Sequence, residues 1–319
     1  ARVDSLFFLI FPDWIAYAGI LLLGTFVGGY FTYLLCKRVL QFNVWASLFA
    51  GILFSSSLIQ LDILPMITGL SVLPLILYYL ENILARPTSN SWFQISGVAV
   101  LGLLLGFTSS LVLTLPFTLG GVIAWFGVIR RRVNIRSIGL LTILIVTSSL
   151  LSIQEVRSLL VNVHLSQRDG NYYNDVGLFQ YLSQVRFLLK NNLLGLSVVL
   201  AGLFYQKKEF LLIRLSILLG TLVFIVPAYL PVAKSFRHIL GFLSDFGFSR
   251  FDLLIPFFTA LASGYVLSNL KGTIHVSADH NNTQRVFSTA ALFPMLLLLL
   301  VVLFNSVPIK INRAKIWLK

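Results

Sequence analysis

Sulfur and negative charge are scarce in this sequence. It holds one cysteine, Cys36, and two methionines in 319 residues. A single cysteine excludes an internal disulfide and a cysteine-built metal cluster. Only 11 Asp and Glu face 24 Lys and Arg, and charged residues make up 11% of the chain, less than half the share of a soluble domain. No Gly-rich phosphate loop and no H-E-x-x-H pair occurs in the sequence. These gaps remove the common soluble-enzyme signatures.

Hydrophobic residues supply 57% of the chain, and the mean hydropathy is +0.90. Several runs reach the length of a bilayer span. The fold class these features predict is all-α, a polytopic transmembrane helical bundle of about ten spans forming a single domain over 1–319. The net charge of +13 is spread over loops at both faces. Membrane topology and anionic lipid account for it better than nucleic acid does.

In chain order, 1–13 is apolar but too short to span, and Pro12 stops it, so it reads as an interfacial segment. Predicted spans cover 14–36, 44–60, 63–80, 92–107, 111–129, 137–153, 191–205, 210–230, 251–270 and 286–305. Pro65, Gly69 and Pro74 predict that 63–80 is broken or kinked, and Pro116 predicts a kink in 111–129. Glu81 and Arg86 mark a loop after the third span. Gly102 and Gly106 form a small-xxx-small pair suited to helix packing. The span interiors read as nearly free of charge. The basic pairs and clusters at 37–38, 130–136 and 207–208 fall on one side, which the positive-inside rule assigns to the cytoplasm together with the polar loop 271–285. His275 and His280 in that loop lack the partners of a metal site.

That orientation places two long basic loops, 154–190 and 231–250, outside the cytoplasm, with short interfacial helices expected in the first. Long outer loops escape the positive-inside rule freely, so their charge has a plain explanation. The alternative is an anionic ligand at the bilayer surface, held by Arg157, Arg186, Lys234, Arg237, His238 and Arg250. Arg250 stands among aromatics in FGFSRF, where a guanidinium can clamp a phosphate and stack on a ring, or simply snorkel to the interface. Among outer-face carboxylates, Asp62 is the weak catalytic candidate, either facing a cavity or serving as a helix-end charge; Asp245 reads as a turn or cap, and Asp169 and Asp175 as turn residues.

LDILPMITGLSVLPLILYYLENI (61–83), FGFSRFDLLIPFFTALASGYVL (246–267) and the opening ARVDSLFFLIFPDWIAYAGILLLGTFVGGYFTYLLCKR resemble stretches of a family of bacterial polytopic proteins. That family is similar to GT-C-type glycosyltransferases. The resemblance implies an enzyme of the bacterial plasma membrane that moves a sugar from a polyprenyl-phosphate donor to a cell-envelope acceptor at the outer leaflet. Its partners are then the polyprenyl-phosphate-linked sugar and membrane lipids. Such enzymes carry a catalytic Asp in the first outer loop, and this chain is expected to begin after that loop. Asp4, Asp13 and Asp62 therefore do not match it by position. A carboxylate acts in this chemistry as base or metal ligand, so a divalent metal is compatible with it, but the sequence shows no site for one. The competing readings are a lipid or polysaccharide transporter, for which a broken 63–80 span is the supporting feature, and a non-catalytic membrane scaffold.

Overall fold

A computed structural model describes residues 3–59, 64–85, 91–109, 114–131, 135–151, 182, 185–186, 189, 192–205, 210–225 and 248–274. Among these residues all regular structure is helical. The helices are α1 (Val3–Ile10), α2 (Asp13–Leu34), α3 (Val44–Ile59), α4 (Leu64–Ala85), α5 (Ser91–Thr108), α6 (Leu115–Ala124), α7 (Ile135–Leu151), α8 (Leu193–Tyr205), α9 (Phe210–Gly220) and α10 (Ile255–Ile274). Short π turns extend α2 over Leu35–Val39, α6 over Trp125–Ile129 and α9 over Thr221–Ile225. A 3-10 turn, Phe248–Leu254, leads into α10.

Among the described residues, four stretches are long and apolar enough to cross a membrane: Asp13–Val39, Met66–Ala85, Ser91–Thr108 and Phe251–Asn269. Five shorter apolar helices accompany them. Large apolar side chains face outward, among them Leu22 at 69%, Phe26 at 66% and Phe210 at 75% exposure. A soluble monomer rarely shows so much apolar surface, whereas lipid accepts it. The chain divides into two compact units, Ala1–Val266 and Leu267–Lys319.

Direction alternates from helix to helix. The α2 glycines Gly24 and Gly28 meet Ile67 and Ser71 of α4, in rising order, so α2 and α4 run parallel. Between them in sequence, α3 runs back along α2, with Gly28 against Leu58 and Gly29 against Gly51. A Cβ at Gly51 would lie 2.6 Å from the Gly29 carbonyl oxygen, so only glycine allows that approach. In α5, Gly102 meets Leu144 and Thr147 of α7, and Gly106 meets Ser148 and Leu151. The pair is the contact surface of α5 on α7, as the small-xxx-small spacing predicts. The first half of α10 is buried all round, with Ile255, Phe257, Phe258, Ala260, Leu261 and Ala262 at 0% exposure. It lies against α3 through Phe54–Phe257 and through Gly264 on Ala46 and Ala50, against Phe42 just before α3 through Tyr265, and against α8 through Gly195 and Thr259.

Close packing and interhelical hydrogen bonds join the helices, the kind of contact that holds helices together in lipid. Ser55 Oγ donates to the Thr25 carbonyl at 2.9 Å, joining α3 to α2. Thr68 Oγ1 donates to the Thr108 carbonyl at 3.0 Å, joining α4 to α5. Ser263 Oγ donates to the Gly195 carbonyl at 3.1 Å, joining α10 to α8.

Three expectations change. The segment 63–80, predicted to be broken or kinked by Pro65, Gly69 and Pro74, is not broken: one helix runs from Leu64 to Ala85 with Pro74 inside it. A proline in a helix interior removes one hydrogen bond, and neighbouring helices can carry that loss without a break. Glu81 is not a loop marker; it lies on α4 with 3% exposure. Pro116 does not kink α6 but stands in its first turn, where its missing N–H costs nothing. The predicted span 286–305 and the loop regions 154–181 and 226–247 lie outside the described residues.

Candidate functional site

The alternation brings the C-terminal ends of α2, α4 and α6 together with the N-terminal ends of α5, α7 and α9. Lys37, Arg38, Arg130, Arg131, Arg136 and Arg214 all belong to this end of the bundle. One acid sits among them. Glu81 is the sole carboxylate between Asp62 and Glu155 in the sequence.

The π turn of α6 is what aims a cation at it. The Arg130 N–H donates to the Trp125 carbonyl at 2.9 Å, five residues back. One extra residue in the turn rotates the following side chain by about 100° around the helix axis. Arg130 then forks onto Glu81, with Nε donating to Oε1 at 2.8 Å and NH2 donating to Oε2 at 3.0 Å. The Trp125 Nε1–H donates to the same Oε1 at 2.8 Å, from a ring at 0% exposure. Three donors thus converge on one buried carboxylate. Its role is to hold α4 and α6 together and to keep Arg130 in place.

Neighbouring contacts widen the network. Arg38 NH1 donates to the Tyr78 hydroxyl at 3.2 Å, one turn before Glu81. Arg136 of α7 donates through Nε at 3.2 Å, and through NH2, to Gln94 Oε1 of α5. Arg214 NH1 donates to the Ile129 carbonyl at 2.9 Å, tying α9 to the end of α6. A cavity of about 540 Å³ opens between these ends, lined by Val39, Leu40, Gln41, Ile129, Arg130, Leu211 and Arg214. Two guanidinium groups and an apolar margin on one cavity suit an anion that carries an apolar tail.

The opposite end of the bundle holds the sequence-predicted ligand site only in part. Arg250 lies in the 3-10 turn Phe248–Leu254. The next residue, Phe251, packs edge-on against Phe117 with ring centroids 4.9 Å apart, and covers Gly120. Phe117 stands in the first turn of α6 and Arg130 follows its end, about 20 Å further along at 1.5 Å per residue. Arg186 is exposed and in helical conformation. Asp62, Arg157, Lys234, Arg237 and His238 lie outside the described residues. Among the described residues no three His, Cys, Asp or Glu side chains converge, so those residues form no metal site and no step proposed below runs through a metal.

Sequence reading missed Glu81, Trp125 and Arg214. Arg214 sits inside the predicted span 210–230, where the interior reads as nearly uncharged. The signal was available: an acid alone in some ninety residues of basic and apolar chain needs a cationic partner, and the nearest downstream cluster is 130–136. In comparisons with protein families, curated proteins and solved structures, nothing matches this chain.

Proposed function

We propose that the protein is a multi-pass protein of the bacterial plasma membrane. It has about ten spans: the four long and five shorter apolar helices, together with 286–305. Within that frame we propose a GT-C-type glycosyltransferase that takes sugar from a polyprenyl-phosphate donor at the outer leaflet and passes it to a cell-envelope acceptor.

The observation that carries this reading is the position of Arg250. Its turn is pinned by Phe251 to the start of α6, at the end of the bundle remote from Arg130. The basic stretch 234–250 leads directly into that turn. A phosphate held there faces the leaflet opposite the Arg130 end. In the transfer, an acceptor hydroxyl attacks the anomeric carbon while the bond from that carbon to the phosphate oxygen breaks. The hydroxyl proton passes to a base, and the lipid phosphate leaves with the bonding electron pair. Arg250, with Lys234, Arg237 and His238 upstream, supplies positive charge to the departing phosphate.

Coupled transport fits less well. It uses ionisable groups that line a pathway within the spans. Glu81 is instead buried and engaged by Arg130 and Trp125, and the helix whose break favoured transport is continuous.

The test is binding of a panel of polyprenyl-phosphate hexoses to the full chain in nanodiscs. Arg250→Ala is expected to weaken binding at least tenfold while Lys37→Ala, at the other end, leaves it unchanged. Equal affinity in wild type and Arg250→Ala, or no binding by wild type, contradicts the proposal.

A further inference from the structure

The cavity at the Arg130 end has a property the transferase reading does not use. Arg214 is partly buried and lines the cavity. Its one hydrogen bond among the described residues goes to the neutral Ile129 carbonyl. Its Nε is buried and has no hydrogen-bond partner there. A partly desolvated guanidinium with one neutral acceptor is electrostatically incomplete.

Among the described residues, the groups around it do not supply the missing charge. Glu81 is already engaged by Arg130 and Trp125. Arg130, which faces the same cavity, commits two of its five N–H donors to Glu81. The remaining lining residues, Val39, Leu40, Gln41, Ile129 and Leu211, carry no charge. Leu211 and Arg214 belong to the first two turns of α9, whose N-terminal dipole also favours an anion. About 540 Å³ accommodates far more than a single ion.

We infer that this cavity binds a phosphate group between Arg130 and Arg214, with the apolar margin of Val39, Leu40, Ile129 and Leu211 against whatever the phosphate is attached to. The group belongs either to an anionic lipid headgroup or to a free phosphate. The site is separate from the donor site proposed at Arg250, and the free-phosphate form does not depend on the chain being a membrane protein.

Thermal unfolding of the full chain in neutral detergent tests this. Three additions are compared at fixed ionic strength: inorganic phosphate, phosphatidylglycerol and phosphatidylcholine. A saturating phosphate-bearing ligand is expected to raise Tm by about 4 °C. A rise with both phosphate and phosphatidylglycerol means the site reads the phosphate alone; a rise with phosphatidylglycerol only means it reads an anionic lipid. Arg214→Gln should abolish most of the rise, and Lys37→Ala should keep it. Leu211→Glu places a carboxylate beside the two guanidinium groups and should also abolish it, so the test stands if Arg214→Gln fails to fold. No rise in wild type with phosphate or phosphatidylglycerol, an equal rise with phosphatidylcholine, or a full rise in Leu211→Glu overturns the inference.

Discussion

The ends of α2 and α6 use the same backbone device for different purposes. Each helix closes with a five-residue π turn in which an N–H reaches back five residues: Leu40 to Leu35 at 3.0 Å, and Arg130 to Trp125 at 2.9 Å. Each is followed by a non-glycine residue in the left-handed region, Gln41 at φ 59° and Arg131 at φ 50°. The side chains then diverge. After the first π turn stands Leu40, and the cations nearby point outward: Lys37 lies over the Tyr33 ring, and Arg38 reaches the Tyr78 hydroxyl. After the second stands Arg130, turned inward onto Glu81. One backbone solution thus ends a helix among surface charges in one case and builds a buried ion pair in the other. The identity of a single residue after the turn decides which.

The largest effect should come from breaking the second case. Glu81→Ala leaves Arg130 and the Trp125 Nε1–H without their acceptor, and is expected to cost about 3–5 kcal/mol. Equilibrium unfolding in mixed micelles measures it. Making the α6 end resemble the α2 end tests the same point from the other side. The double variant Glu81→Leu with Arg130→Leu should be more stable than either single variant, since it removes both charges together. Additive losses would mean the two residues act independently.

Trp125→Phe keeps one aromatic ring but deletes a donor to the carboxylate and part of a fully buried indole. It should cost about 2–3 kcal/mol in the same unfolding measurement. The shared backbone predicts a matched pair of smaller, favourable effects. Gln41→Gly and Arg131→Gly each relieve a left-handed residue and should each stabilise by about 0.5 kcal/mol after the entropy cost of glycine. A gain at one position alone would show that the two turns are not equivalent. The smallest effect belongs to Tyr78→Phe, which removes only the acceptor of the exposed Arg38; its Tm should match wild type.

The sequence made the helices legible and the polar contacts much less so. Spans read as 44–60 and 92–107 fall within a residue of α3 and α5, because charged or turn residues bound strongly apolar runs. The Gly102–Gly106 pair was readable for a related reason: small residues four apart share one helix face, and few uses other than close packing suit an apolar face. Proline was misread, since the sequence shows the lost hydrogen bond at Pro74 but not the neighbours that tolerate it. Glu81 was misread because a charge at the edge of an apolar run looks like the end of a helix, and its partner Arg130 lies 49 residues away. The π turn that aims Arg130 has no signature in the sequence. Of the predicted anion-binding residues, the structure places Arg186 in the open and the backbone of Arg250 at the start of α6, while the rest of that loop lies outside the described residues.

The central claim is that Arg250 and the Arg130 cluster serve opposite faces of one membrane-spanning bundle. Labelling of variants with one added cysteine, in sealed right-side-out vesicles with a membrane-impermeant maleimide, tests it most directly. The native Cys36 is fully buried and gives a low background. Arg250→Cys should label from outside, and Lys37→Cys should label only after the vesicles are opened. Labelling of both from the same side, or the reverse pattern, would contradict the account.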